Sequence, residues 1–251
     1  MKSSPVVLCE INESVALVTL NRADNLNALS SAMIAGLVQV FAELRDTERV
    51  AAVVLTGAGR AFSAGLDLKE LSQSSGLNAG DPIAAIHGVG KPVIGAVNGY
   101  AITGGLELAL ACDFLICSDR ASFADTHALV GVVPGWGLTH KLPATIGLNR
   151  ARQMSFTGRF IDSSQALAFG LVNEVLPPEQ LLTRGLAIAA DMVDCHQPTL
   201  GAIRELMEQG WGRSPADAMA GEKHRARQAN AQLSTDAMGD RLAALQRRSR
   251  T

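Results

Sequence analysis

The chain lacks a strong excess of charge of either sign. Charged residues make up 18% of its 251 residues and the formal net charge is −2. That leaves no broad basic field for nucleic acid, so any anion has to be held by a local site. The chain also lacks any run approaching the roughly 18 consecutive apolar residues of a membrane-spanning helix. Its opening, Met1-Lys2-Ser3-Ser4-Pro5, leads into a short apolar stretch broken by Glu10, Asn12 and Glu13, without the long apolar core of a secretion signal. Nor is there a Cys-x-x-Cys pair. Cys9, Cys112, Cys117 and Cys195 lie scattered in apolar settings, so four reduced, buried thiols and a cytoplasmic location are expected.

Several nucleotide and hydrolase signatures are missing as well. Gly57-Ala58-Gly59 follows a strand-like run, but the third glycine of a dinucleotide fingerprint would fall on Phe62. No phosphate-loop motif is present. Ser63, within Ala61-Phe62-Ser63-Ala64-Gly65, lacks the first glycine of a nucleophile elbow. His87, His140, His196 and His224 have no companion spacing for zinc, and neither a metal nor a dissociable cofactor is expected.

With 47% apolar residues the chain can bury a sizeable core, as one large domain or a core with a small appendage. Val6 to Ile11 and Ser14 to Leu20 read as a strand hairpin. Ser30 to Leu44 has apolar residues at helical spacing, with Ser30 or Ser31 as N-cap. Ala51 to Leu55, Val93 to Val97 and Phe114 to Cys117 read as buried strands. After about Pro143 the pattern turns mostly helical. Helices are expected over Leu148 to Phe156, Ser163 to Phe169, Glu179 to Val193, Thr199 to Gln209, Ala216 to Ala229 and Gly239 to Gln246, with a last strand at Val172 to Val175. The β-β-α start and repeated strand and helix units predict an α/β core, 1–195, with a helical region, 196–251. The basic end, Arg247-Arg248-Ser249-Arg250, reads as a solvated terminus.

Two small-residue segments carry the chemistry: Phe62-Ser63-Ala64-Gly65-Leu66-Asp67-Leu68, and Asn98-Gly99-Tyr100-Ala101-Ile102-Thr103-Gly104-Gly105-Leu106-Glu107-Leu108. Each leads from a strand into a helix and so presents free backbone N–H groups at a helix start. Two such turns can aim two donors at one oxygen, as an enolate requires; alternatively, the glycines only let helices pack closely on strands.

In these segments the chain resembles the crotonase superfamily, the enoyl-CoA hydratase/isomerase family. The resemblance rests on Leu20-Asn21-Arg22 with Leu26-Asn27-Ala28-Leu29, on Ala61 to Leu68, on Lys91-Pro92-Val93 through Asn98-Gly99 to Glu107, and on Val133-Pro134-Gly135. It implies a ββα superhelical spiral core with a C-terminal helical trimerisation region, and a homotrimer or dimer of trimers. The implied substrate is an acyl group carried as a coenzyme A thioester. By position, it puts the oxyanion hole at the backbone N–H of Leu66 and Gly104. The adenine pocket and acyl-CoA cradle fall on backbone near Ala28, Ala64, Leu66 and Leu68, with Lys69 as a phosphate partner. Asp24 stands where the family often has a basic residue.

Family hydratases use two glutamates around one water. The first matches Glu107 and the second falls on His127, in Phe123-Ala124-Asp125-Thr126-His127. The implied activity is hydration of a 2-enoyl-CoA thioester. Another reaction of the same fold, such as isomerisation, decarboxylation or a different lyase step, and non-catalytic acyl-CoA binding are the alternatives. His127 in place of a carboxylate weighs against the simplest isomerase. Burial would raise the pKa of Glu107 while the helix start would lower it, so the sign stays open. His127 is either structural or a partner of Glu107 in proton transfer. Asp125 either orients the His127 ring or is solvated, and solvation is expected. For Trp136, core packing is expected over narrowing of an acyl pocket.

Overall fold

A computed structural model of the chain describes residues 5–73, 79–231, 238, 239, 241 and 242. It forms two compact units, Met1–Asp194 and Cys195–Thr251.

The first unit starts with a hairpin of β1 (Val7–Asn12) and β2 (Val15–Leu20), followed by α1 (Ser31–Asp46). The Ser30 hydroxyl accepts from the Met33 amide, which settles the N-cap on Ser30. Next come β3 (Ala52–Gly57), β4 (Ala61–Ser63), α2 (Leu68–Leu71), α3 (Pro82–His87), β5 (Val93–Val97), β6 (Tyr100–Ile102) and α4 (Gly104–Leu110). The chain continues through β7 (Phe114–Ser118), β8 (Ser122–Ala124), α5 (His127–Val130), α6 (Leu138–Ile146), α7 (Leu148–Thr157), β9 (Ile161–Asp162), α8 (Ser163–Phe169), β10 (Val175–Leu176) and α9 (Pro178–Val193).

The strands form two sheets. The larger has the order β1-β2-β3-β5-β7-β10, and apart from the β1–β2 hairpin its pairs are parallel. Parallel strands covered on both faces read as continuous apolar runs, which is why β3 and β5 are legible in sequence. Alternate residues of β3 serve two cores. Val53 and Leu55 join the cluster containing Met33, Leu37 and Phe41 of α1, and Ala52 and Val54 join that of Leu181 and Ala189 of α9.

The smaller sheet, β4-β6-β8-β9, positions the site. After a turn of two or three residues, β3 leads into β4, β5 into β6 and β7 into β8. The three short strands are parallel neighbours. Their C-terminal ends therefore lie side by side, and each feeds a helix: α2, α4 and α5. In parallel sheets this edge is where ligand-binding loops gather.

Several expectations need correction. Helical structure begins before Pro143, because α6 runs from Leu138 through that proline at the cost of one backbone hydrogen bond. The last strand is β10, shifted from the expected Val172 to Val175; Val172 is instead a core residue in the preceding turn. Cys112 and Cys117 are buried, and burial pushes the Cys117 thiol up to about 12, so it is inert; Cys9 and Cys195, expected to be buried, are exposed.

The second unit contains α10 (Gln197–Gly210) and α11 (Pro215–Asn230), the latter capped by the Ser214 hydroxyl accepting from the Asp217 amide. These two helices pack on each other. Ile203, Met207, Trp211 and Met219 are exposed on this unit. Of the helix expected over 239–246, residues 239, 241 and 242 are described and helical; the rest, with the basic tail 247–250, lie outside the described residues. No helix among the described residues is long and apolar enough to cross a membrane.

Candidate active site

The turns after β4 and β6 meet backbone to backbone. Gly65 has φ +90°, and a Cβ there would lie 2.7 Å from the Ile102 carbonyl oxygen and 3.2 Å from the Gly104 nitrogen. A Cβ on Gly105 would fall 2.2 Å from the Ser63 carbonyl oxygen. Only glycine fits at either position. Leu29 bridges the first turn: its amide donates to the Gly65 carbonyl and its carbonyl accepts from the Asp67 amide. In this parallel pairing the groups either side of Leu66 are used and its own N–H faces away from Leu29. Gly104 is the first residue of α4, whose amide has no acceptor within the helix.

The Leu-Asn-Arg block braces this corner. Arg22 donates to the Ala28 carbonyl (2.8 Å) and, through both terminal nitrogens, to Asp67 Oδ2 (3.1 Å each). Asp67 also caps α2, accepting from the Glu70 amide, and Arg22 together with that bond holds its carboxyl below the usual range despite burial, which pulls the other way. Buried Asn27, in a left-handed conformation (φ 53°), donates to the Ala58 and Ala61 carbonyls and accepts from the Arg22 amide. The Ser63 hydroxyl closes the circuit by donating to the Asn27 carbonyl.

Glu107 lies on α4 one turn after Gly104 and is 3% exposed. Its Oε1 accepts from the Trp136 amide (2.8 Å) and the Leu138 amide (3.4 Å). Its Oε2 lies 3.6 Å from Nε2 of His127, which is also 3% exposed. Burial raises the Glu107 carboxyl above its ordinary value, outweighing the Trp136 amide and the nearby His127, so the sign left open by the sequence is upward.

His127 begins α5 and its Nδ1 lies 2.7 Å from Asp125 Oδ1. Asp125 is 2% exposed, so the expectation that it is solvated is wrong. The tight turn between β8 and α5 folds its carboxylate back under the ring instead of out to water. Burial alone would raise this carboxyl, but hydrogen bonds from His127 and the Ser155 hydroxyl hold it below the ordinary range. An ionised Asp125 accepts from Nδ1–H, and the hydrogen-bond network therefore assigns the lone pair of a neutral ring to Nε2, facing Glu107.

Thr103 joins the two halves. It sits at φ 55°, ψ −114°, a region that costs a β-branched residue about 1–3 kcal/mol. Its Oγ1 accepts from the Thr126 amide (3.2 Å) and lies 2.5 Å from Thr126 Oγ1. The residue before the Gly104 amide is thus tied to the residue before His127.

Leu66, Gly104, Glu107 and His127 are brought together by the three adjacent strand ends. Ala28 and Ala64 lie on the paired segments, the Ala64 amide donating to the Leu26 carbonyl, while Leu68 and Lys69 are exposed at the start of α2. Asp24 is exposed in a 3-10 turn, 23–25. Trp136 is half-buried against the core, and its larger part in the site is its main-chain bond to Glu107. Of the other residues the site uses, Asp125 carries a sequence signal in its position two residues before His127, and its ring-orienting alternative is the one the structure supports. Thr103, Thr126 and Arg22 carry none as site groups, and Asp67 only an Asp-x-x-Glu capping pattern with Glu70.

The family model described as Enoyl-CoA hydratase/isomerase matches residues 10–240. A probable peroxisomal enoyl-CoA hydratase 1 of Arabidopsis thaliana is 37% identical over 219 residues, covering 84% of this chain and 82% of that protein. The crystal structure of an enoyl-CoA hydratase from Bacillus anthracis superposes with a TM-score of 0.87 at 29% identity, covering 96% of each chain. A monofunctional enoyl-CoA isomerase from M. smegmatis superposes with a TM-score of 0.75 at 34% identity, covering 86% of this chain and 98% of that one. The family-model match over residues 10–240 and the relatives covered over most of their length show that the chain belongs to the enoyl-CoA hydratase/isomerase family of the crotonase superfamily.

Proposed function

We propose that the chain is an enoyl-CoA hydratase-type lyase that adds water across the 2,3 double bond of an enoyl-CoA thioester. The observation that carries this reading is the separation of 3.6 Å between Glu107 Oε2 and His127 Nε2, both buried beside the Leu66 and Gly104 turns. A water oxygen about 2.8 Å from each atom closes a triangle on that base. The amides of Leu66 and Gly104 donate to the thioester oxygen as it gains enolate charge, each contributing about 3 kcal/mol at the transition state.

In the reaction the water oxygen bonds to carbon three. One proton of the water passes to the Glu107–His127 pair as the pair delivers one proton to carbon two, so the site ends with the proton count it began with. Burial holds the Glu107 carboxyl above its ordinary value, which favours its protonated form and so its delivery of a proton.

The coenzyme A portion is assigned to the main chain at Ala28, Ala64, Leu66 and Leu68, with exposed Lys69 meeting a phosphate. The core, 1–195, carries the acyl-CoA site, and the helical region, 196–251, carries assembly into a homotrimer or dimer of trimers. Exposed Met207 and Trp211 on the second unit supply apolar surface for such packing. The scattered cysteines, with no Cys-x-x-Cys spacing among them, suit a reducing compartment and support a cytoplasmic location.

The test is hydration of short- and medium-chain 2-enoyl-CoA thioesters by the purified protein, followed by loss of the conjugated thioester absorbance. At least one chain length is expected to be hydrated, and Glu107→Gln to lower kcat by about 10³-fold. Turnover of none overturns the reading. Double-bond isomerisation is a second reading, favoured by the match to the M. smegmatis isomerase. Product analysis on 3-enoyl-CoA separates the two. A non-catalytic acyl-CoA binder would bind tightly without turnover in either assay.

A further inference from the structure

Two carboxylates flank the imidazole of His127, and their environments displace them in opposite directions. Glu107 is raised by burial, while Asp125 is lowered by its hydrogen bonds to His127 and Ser155 in spite of burial. Such a division separates a group that exchanges protons from one that stays charged. The geometry makes the same distinction. Asp125 Oδ1 accepts from both the main-chain amide (3.2 Å) and Nδ1 (2.7 Å) of the same histidine. One oxygen therefore fixes both the backbone and the ring plane of His127. Glu107, by contrast, touches the ring only across 3.6 Å, leaving room for a third atom.

We infer that Asp125 is a positioning residue: it locks the proton on His127 Nδ1 and turns Nε2 toward Glu107, so that Nε2 is the ring nitrogen that exchanges a proton with the water. The inference rests on the hydratase reading for its kinetic consequence. When a proton occupies Nε2 the ring is positive, and the Asp125 carboxylate balances that charge from the side away from the substrate. The Nδ1 proton stays in place throughout. Nε2 takes one proton from the water while Oε2 of Glu107 gives one to carbon two, and the proton on Nε2 then returns to Oε2, so no other donor or acceptor is consumed. A buried carboxylate with no such task is costly, and a neutral side chain would satisfy the same amide more cheaply.

The experiment uses the full-length protein and three versions of it: wild type, Asp125→Asn and Asp125→Ala. ¹⁵N spectra of the His127 imidazole report which nitrogen carries the proton. The wild type is expected to show Nδ1–H. Asp125→Asn is expected to keep it, because the His127 amide holds the remaining Oδ1 in place, and Asp125→Ala to lose it. On a hydrated 2-enoyl-CoA, Asp125→Ala is expected to lower kcat by about 10- to 100-fold with little change in KM, and Asp125→Asn to fall between it and the wild type. An Asp125→Ala protein with the wild-type imidazole spectrum, or with wild-type kcat, overturns the inference. If Asp125→Ala fails to fold, a wild-type spectrum with the His127 proton on Nε2 does the same. Should the wild type hydrate no substrate, the hydratase reading fails by itself, and the imidazole spectra still decide whether Asp125 sets the tautomer.

Discussion

The turns that follow β4 and β6 work through main chain, whereas the turn that follows β8 works through side chains. At Leu66 and Gly104 the useful groups are amides, and what the sequence must supply is the absence of side chains at Gly65 and Gly105. At Asp125 and His127 the useful groups are a carboxylate and an imidazole, placed by one short bond and one longer gap. On the proposed roles, the difference teaches that the turns offered to the oxyanion should tolerate change in side-chain identity but not in volume at Gly65 and Gly105. The turn proposed to handle protons should tolerate neither change of charge nor of reach.

The comparison can be broken in several ways. Within the turns themselves the largest expected effect is on the side-chain turn, where His127→Ala should lower kcat by about 10²-fold or more while acyl-CoA affinity changes little. An unchanged kcat would make the imidazole structural. On the main-chain turn, Gly105→Ala drives a methyl group into the Ser63 carbonyl, and thermal or denaturant unfolding should show a loss of about 3 kcal/mol.

A smaller effect, with a pH signature, is expected at Glu107. Its folded pKa lies above its unfolded one, so the folded chain binds that proton more tightly. Its contribution to stability is therefore fully present below the ordinary carboxylate pKa and is lost as pH rises through the folded value. Glu107→Gln, which keeps an acceptor for the Trp136 amide, should match the wild type in acid and exceed it once the pH has risen through the folded value, as measured by denaturant midpoints. The smallest kinetic effect is expected for Leu66→Ala, which leaves the amide in place and should keep kcat within about threefold of the wild type.

Much of the frame is legible because its cause is local. The apolar runs of β3 and β5 and the period of α1 follow from burial on two faces and on one. The small-residue turns are legible because volume is written directly in residue type. The smaller sheet is not legible, since strands as short as Ala61–Ser63 and Tyr100–Ile102 are too brief to show a period, and their pairing depends on corners turned in the larger sheet. Asp125 is legible only in part. Its spacing of two residues from His127 allows it to orient the ring, but sequence alone favours solvation, and only the tight turn after β8 buries it against the ring. Thr103 is likewise silent, because nothing in the residue type announces a conformation held by Thr126 from a separate segment.

The central claim is that Glu107 and His127 act as one unit around a single water. The direct measurement is a double-mutant cycle on kcat for a hydrated 2-enoyl-CoA, comparing Glu107→Gln, His127→Ala and the combination with the wild type. Residues that act as a unit are non-additive, so the combined variant is expected to be no slower than the slower single variant within about threefold. Losses that multiply, each variant costing its full factor in the presence of the other, would contradict the account.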